Sequence, residues 1–152
     1  VAGVAGATDT HVVHEREDPT VMNGVVESGE QAFEMAGWDR EDVDVAELHD
    51  MFTILEFLQL EGLGFADQGT AWKMAREGTT ARDGDLPVNT SGGLKSKGHP
   101  LGASGVAQVV ELYEQLQGEA GPRQVEADRG LACNVGGFGN CVVTTLVEGV
   151  SA

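Results

Sequence analysis

The chain has 152 residues, of which 41% are hydrophobic, and this is enough for one domain with a hydrophobic core. Its 25 acidic and 9 basic residues give a net charge of −16, which repels nucleic acid and anionic membranes. No stretch approaches the length of apolar sequence that spans a bilayer. We therefore expect no nucleic-acid partner and no membrane association.

The acidic composition leaves two interpretations open. One is a surface adapted to high salt, as in a halophilic archaeon, where screening removes the self-repulsion. The other is an ordinary acidic enzyme of a mesophile. The first is favoured because the acidic residues are spread along the chain and lysine is scarce. Two cysteines without a CxxC pair, and four histidines without matching spacing, give no metal signature and indicate a reducing, cytoplasmic location.

The first half of the chain predicts alternating strands and helices. Residues 1–13 predict a strand, with His11 and His14 on its face. A helix is predicted over 20–36, with Gly37 as its stop. A short strand over 43–48, a helix over 52–60 and another short helix within 67–78 follow.

The second half contains a glycine-rich loop over 89–105 and a helix over 103–117, with Gly118 as its stop. The apolar residues of this helix fall on one stripe, as in an amphipathic helix: Val106, Val109, Val110, Tyr113 and Leu116. Two strands, 131–135 and 141–147, are joined by "GGFGN", which suits a hairpin. Cys141 lies inside the second strand and is predicted to be core. The alternation of strands and helices predicts a layered α/β domain.

Three motifs follow predicted strands, and strand ends are where α/β sheets place their sites. They are "HDMF" from His49, "GHP" around His99, and "CNVGG" from Cys133. Histidine can act as a general base, cysteine as a nucleophile or proton donor, and glycine turns can hold an oxyanion. Each motif alone also has a structural interpretation: a strand-closing histidine, a small buried cysteine, a hairpin that needs glycine.

Taken together, "ELHDMF", "NTSGG…GHPLGASG" and "NVGGFGN" resemble the C-terminal half of thiolases in order and spacing. Thiolases usually carry "NEAF" where this chain has "HDMF". The histidine version resembles the sterol-carrier-protein-type thiolases and the related archaeal acetyl-CoA acetyltransferases. The resemblance covers residues 1–152 as one thiolase C-terminal domain. It implies the thiolase-like fold of that half, a mixed sheet covered by helices.

The resemblance implies an acetyl-CoA C-acetyltransferase, which catalyses thiolysis of 3-ketoacyl-CoA or the reverse Claisen condensation. Coenzyme A thioester would be the substrate, with no prosthetic group and no metal. His99 would deprotonate the nucleophile, and His49 would help form the oxyanion hole, directly or through water. A second oxyanion would be held at Asn134, Gly136, Gly137 and Gly139. The substrate and its pantetheine arm would pass Phe52, Ser91, Gly92, Gly93 and Gly98.

Two departures from the family pattern matter. The nucleophilic cysteine of thiolases lies in the N-terminal half, which this chain lacks, so the chain alone is expected to be inactive. The acid/base cysteine belongs to a CxGG motif, and the matching frame here starts at Asn134. Cys133 is one residue out of frame and would face the other side of the strand unless a bulge corrects it. Met51 cannot carry a proton.

Two other interpretations compete with the enzyme. The first is a non-catalytic acyl-CoA or lipid-binding module that kept the fold, and the second is a scaffold subunit of a multi-enzyme complex. An intact proton carrier near His99 favours the enzyme, whereas Cys133 turned away favours the binding module. The resemblance further implies a homo-oligomer and a small OB-fold partner protein.

Overall fold

The computed structural model describes residues 1–149, whose strands form one four-stranded sheet. The strands are β1 (Gly3–Thr8), β2 (Val45–Leu48), β3 (Arg129–Gly136) and β4 (Cys141–Glu148). The helices are α1 (Asn23–Ala36), α2 (Thr53–Gly62), α3 (Ala71–Glu77), α4 (Gly93–Lys97) and α5 (Ser104–Gln117). Single 3-10 turns occupy Val13–Glu15, Arg40–Asp42 and Gly121–Arg123.

The sheet is mixed, with strand order β1-β4-β3-β2. Strand β4 is antiparallel to both of its neighbours, and β2 runs parallel to β3. Helices α1 and α2 cover one face of the sheet, and α5 covers the other. These observations confirm the predicted layered α/β domain with a mixed sheet.

The two faces of the sheet bury different residues because side chains alternate along β3. Leu131, Cys133 and Val135 belong to the larger core, which also contains Phe33 of α1. Ala132 belongs to a smaller core under α5, where it packs with Leu112. Consecutive residues of β3 therefore serve opposite faces of the sheet.

The predicted strand over residues 1–13 is too long, since β1 ends at Thr8. Beyond it, Thr10 N–H donates to the Asp9 carboxylate at 2.7 Å, and Val12 N–H donates to Thr10 Oγ1 at 3.1 Å. Such local side-chain bonds compete with the sheet ladder and turn the chain away. His11 and His14 lie in this turn region and not on a strand face, so that prediction is wrong.

The prediction that Cys141 belongs to the core is also wrong. Val142, Thr144 and Leu146 of β4 point into the larger core, and Cys141 is exposed at the start of the strand, on the opposite face. An apolar run of sequence does not reveal which of its residues is left uncovered.

Helix α5 turns four of the five residues of its apolar stripe away from the sheet, and the fifth, Leu116, packs against the smaller core. Val106 is 65% exposed, Val110 49% and Tyr113 61%, whereas the polar side chains of Gln108, Glu111 and Gln115 are buried, together with Leu112. Exposed apolar patches of this kind mark interaction surfaces. We call the group formed by Val106, Val109, Val110 and Tyr113 the outer stripe.

Hydrogen bonds hold the polar side of α5 against the protein. Gln108 Nε2–H donates to the main-chain oxygens of Glu47 and Cys133, both at 3.1 Å, and so ties the helix to β2 and β3. Two turns later, Gln115 Nε2–H donates to the Arg123 carbonyl at 2.9 Å. Buried amides with partners can anchor a helix face that the hydrophobic effect alone would not bury.

Substitutions on the two sides of α5 are expected to differ sharply in their effect on stability. Leu112→Ala opens a cavity in the smaller core and should lower the free energy of unfolding by about 2–5 kcal/mol. Val110→Ser lies on the outer stripe and should change it by no more than about 0.5 kcal/mol. Urea unfolding of the two variants measures both values. A large loss for Val110→Ser would mean that the stripe is buried in the isolated chain.

Candidate active site

Two histidine rings meet at the end of β2 beside the glycine-rich loop. His49 directly follows β2, and His99 follows α4. Their ring centroids are 4.9 Å apart with an interplanar angle of 89°, an edge-to-face contact. The structure therefore brings together the two histidines that the sequence analysis singled out.

The backbone of His49 is fixed by a glutamine of α2 that sequence reasoning missed. His49 N–H donates to Gln59 Oε1, and Gln59 Nε2–H donates back to the His49 carbonyl, both at 2.9 Å. Gln59 is fully buried. In the sequence, Gln59 stands out only as a polar residue within an apolar helix. The fold is needed to show that it bonds the backbone of His49.

The ring of His49 is buried and held from β3. Its Nδ1–H donates to Asn134 Oδ1 at 3.0 Å, and Nε2 is buried with no hydrogen-bond partner among the described residues. Burial lowers the pKa of His49; the Asn134 bond opposes this effect, and His99 adds to it. The ring is therefore neutral near pH 7, with an accepting nitrogen left over.

Asp50, the next residue, anchors the loop that carries His99. Its Oδ1 accepts a hydrogen bond of 2.6 Å from Leu94 N–H in the first turn of α4. Gly93 has φ = 63°, and a Cβ there would collide with the Asp50 carboxylate. The two residues of the "HD" pair thus have different roles: His49 faces the site, and Asp50 fixes α4.

A buried carboxylate supports the same loop from below. Glu47 of β2 is fully buried, which raises its pKa. Ser91 Oγ–H donates to Glu47 at 2.6 Å, and Lys97 Nζ donates to Ser91 Oγ at 2.7 Å. Ser91 was predicted to contact coenzyme A, and in the structure its hydroxyl is engaged by these two side chains. Sequence reasoning gave no role to Glu47 or Lys97.

The glycines predicted to line the substrate path are needed by the backbone itself. Gly92 has φ = 89° and ψ = 0°, in the left-handed region that favours glycine, and Gly98 has φ = 89° and ψ = 169°, a conformation almost exclusive to glycine. A Cβ at Gly98 would meet nothing within 4 Å, so the side of this residue on which a side chain would project is open. Their predicted contact with substrate remains a prediction.

The regular ladder of β3 separates Cys133 from Asn134. Cys133 pairs with Thr144 and Asn134 with Val143, in unbroken register over the whole strand. Asn134 faces His49, and Cys133 lies fully buried in the larger core, where Thr144 Oγ1–H donates to its sulfur at 3.7 Å. Burial raises the pKa of the Cys133 thiol to about 12. The sequence analysis left open whether a bulge turns Cys133 toward the site to act as the proton carrier, and β3 has no such bulge.

The predicted oxyanion turn, residues 136–139, is held by an arginine far away in the sequence. Arg16 Nη2–H donates to the Phe138 carbonyl at 2.7 Å, and Arg16 also pairs with Asp9 at 3.3 Å. Gly137 and Gly139 take φ of 59° and 97° in the turn. The turn is therefore braced from the segment after β1, which no sequence signal indicated.

Two half-exposed aromatic rings join the turn to the "HDMF" motif. Phe52 and Phe138 stack with centroids 6.4 Å apart and an interplanar angle of 2°. Phe52 was predicted to contact substrate. The sequence analysis did not identify Phe138 as its neighbour, because a glycine turn does not reveal where its one large side chain points.

Comparison with known proteins identifies the family to which this fold belongs. A family model described as "Thiolase C-terminal domain-like" matches residues 5–149. The chain belongs to the thiolase family. The thiolase C-terminal domain fold implied by the sequence motifs is thus confirmed.

Thiolase-family relatives are much longer than this chain. It is 46% identical over 140 residues to an acetyl-CoA acetyltransferase of Methanothermobacter thermautotrophicus, which covers 91% of the chain and 37% of that relative. It is 43% identical over 122 residues to human sterol carrier protein 2, covering 80% of the chain and 22% of that protein. The chain therefore spans less than two fifths of either relative.

A solved structure shares the fold. The chain superposes on the "Ltp2-ChsH2(DUF35) aldolase" with a TM-score of 0.86 and 23% sequence identity, covering 99% of this chain and 39% of that one. At that identity the likeness shows the fold alone. Within residues 1–149, no helix is long and apolar enough to cross a membrane. The same residues contain no cluster of histidine, cysteine and acidic side chains that could hold a metal ion.

The two cysteines are expected to differ in reactivity. In the native protein, a disulfide reagent such as DTNB should modify Cys141, which is exposed, and leave Cys133 unmodified because its thiol is buried and protonated. Both should react in denaturant. Cys141→Ser should abolish the native reaction and Cys133→Ala should not. Rapid native labelling of Cys133 would contradict its placement in the core.

Two glycine substitutions separate backbone strain from collision. Gly37→Ala, at the end of α1, meets open space, so only its left-handed conformation (φ = 68°) is penalised, by about 1–2 kcal/mol. Gly93→Ala, at φ = 63°, carries a similar strain and also collides with Asp50, so it should lower the free energy of unfolding further and loosen α4. Urea unfolding measures both variants. Equal losses would mean that Asp50 moves aside at no cost.

Proposed function

We propose that this domain supplies the base and the oxyanion-binding histidine of an acetyl-CoA C-acetyltransferase. The reaction is thiolysis of a 3-ketoacyl-CoA or the reverse condensation of acetyl-CoA. The observation that carries the proposal is the contact between His49 and His99, in which the ring of His49 is buried and its Nε2 has no partner within residues 1–149. A buried nitrogen without a partner is costly unless a ligand or water completes it.

His99 acts as the general base. It follows Gly98, where a Cβ would project into open space, and it is itself only half-buried, so part of the ring is accessible to a thioester. It takes the proton of a cysteine nucleophile, which then attacks the substrate carbonyl. That cysteine belongs to the N-terminal half of the thiolase fold, so the active enzyme needs both halves.

His49 stabilises the developing oxyanion through a water molecule. Because its Nδ1–H donates to Asn134, the neutral ring offers only an accepting nitrogen at Nε2. A water that donates one hydrogen to Nε2 can donate the other to the thioester oxygen. Of the direct and water-mediated modes that the motif implies, the hydrogen-bond pattern supports the second.

The outer stripe of α5 is the surface on which the N-terminal half packs. Its apolar side chains are exposed in the chain alone, and relatives carry more than twice as many residues. Covering such a stripe removes apolar area from water and fixes the second half close to His99, which lies just before α5. We extend the same proposal to the whole enzyme: a homo-oligomer that takes an acyl-CoA, uses no prosthetic group, and is joined by a small OB-fold partner.

His99 carries the proton transfers in this proposal, because Cys133 faces the core and Met51 has no ionisable group. The proton that His99 removes from the nucleophile is returned to the enolate carbon when the carbon–carbon bond breaks, which leaves an acyl group on the nucleophilic cysteine. His99 then takes the proton of the coenzyme A thiol as its sulfur attacks that acyl group, and returns it to the released cysteine sulfur. In this scheme thiolysis needs no second thiol in the C-terminal half.

A binding module without catalysis is the second candidate, and the burial of Cys133 favours it. Such a module would hold an acyl-CoA between the glycine loop and the turn but would not exchange acyl groups. The two candidates predict the same affinity for thioester and differ in turnover.

The test is acetoacetyl-CoA thiolysis at high salt by the enzyme that contains both halves. His99→Ala should lower kcat by roughly 10²–10⁴-fold, the usual contribution of a general base. The matched control His14→Ala removes a histidine from the 3-10 turn Val13–Glu15, outside the site, and should leave the rate unchanged. Cys133→Ala should retain turnover. Thioester binding without turnover would support the module, and equal rates for His99→Ala and wild type would refute the proposed base.

A further inference from the structure

The hydroxyl of Ser104 touches the ring of His99. Ser104 is the first residue of α5 and is 1% exposed. Its Oγ lies 2.7 Å from His99 Nδ1 and 3.2 Å from the carbonyl oxygen of Pro100. The hydroxyl does not cap the helix, although serine often does so near a helix start. The position of the Ser104 hydroxyl is therefore defined by His99 and by the carbonyl of Pro100, one turn earlier in the chain.

The two contacts fix the direction of the hydrogen bonds. A hydroxyl has one hydrogen to donate, and a carbonyl oxygen can only accept. Both contacts are satisfied when Ser104 donates to Pro100 and accepts from Nδ1–H of His99. In the reverse arrangement, the lone pairs of the hydroxyl would face the lone pairs of the Pro100 carbonyl.

We propose that Ser104 is a positioning residue that holds neutral His99 as the Nδ1–H tautomer and leaves the lone pair on Nε2. The hydrogen bond made by one ring nitrogen decides which nitrogen carries the proton. A ring with its hydrogen on Nε2 would present a donor to the nucleophile and could not take its proton there.

The start of α5 supports both histidines at once. Next to Ser104, Gly105 lies against Asn134, and a Cβ at Gly105 would come within 3.1 Å of the Asn134 side-chain carbon. Asn134 in turn holds the ring of His49. Ser104 thus fixes His99 directly, and Gly105, the next residue of the helix, supports His49 through the Asn134 amide. The assignment of the His99 tautomer is based on geometry alone, whereas its role in catalysis rests on the proposed function.

The first experiment observes the tautomer directly, by nitrogen-15 NMR of the imidazole rings in the full chain, above the pH at which they ionise. Wild type should show a protonated Nδ1 and an unprotonated Nε2 at His99. Ser104→Ala should shift the ring toward the Nε2–H form, and Ser104→Thr, which keeps the hydroxyl, should restore the wild-type pattern. Ser28→Ala is the matched control, since it removes another buried serine hydroxyl, one that bonds Thr144.

Wild-type His99 in the Nε2–H form would overturn the proposal, even if Ser104→Ala failed to fold. An unchanged tautomer in a folded Ser104→Ala variant would overturn it as well. In the enzyme with both halves, Ser104→Ala should lower kcat by roughly tenfold or more, with little change in KM. This loss is smaller than the roughly 10²–10⁴-fold expected when the general base itself is removed. If that enzyme shows no thiolysis at all, the proposed function fails while the NMR result still decides the tautomer.

Discussion

The unbroken register of β3 is the constraint on which the site depends. This strand lies between β2 and β4, and both of its edges are hydrogen-bonded. An extra residue in it would disrupt a ladder, so the alternation of its side chains cannot be corrected locally. Asn134 must then face His49, and Cys133 must face the core. The chemistry available to the domain follows from this orientation, because the amide of Asn134 faces the site and the thiol of Cys133 does not.

The elements around the site are joined by polar contacts rather than by apolar packing. Gln59 holds the backbone of His49, Asp50 holds α4, and Glu47 holds Ser91. Each bond is directional and at least partly buried, so it fixes position more narrowly than an apolar contact of similar area. This arrangement also leaves the outer stripe of α5 free, because the helix is tied down by Gln108 and Gln115 on its other side.

The sequence was informative where a residue type and a local pattern carry the meaning. The helix stops at Gly37 and Gly118 follow from a left-handed conformation that the structure shows at both residues. The motif around each histidine indicated a site before any contact was known. Arg16, Gln59 and Ser104 could not be found this way, because each acts on a partner fixed by the fold. Periodicity revealed the stripe on α5 but not its direction, since a period defines a face without defining what covers it.

The distribution of the few basic residues is consistent with an anionic ligand at this site. Two of the three lysines of the chain, Lys95 and Lys97, lie on α4 beside the glycines and His99. Lys97 helps to neutralise buried Glu47, and Lys95 reaches the Met51 carbonyl at 3.4 Å. In a chain with a net charge of −16, the repulsion of a phosphate-bearing thioester is reduced beside these two cations. The helix that positions the base therefore also lowers the electrostatic barrier to the substrate that the base is proposed to serve.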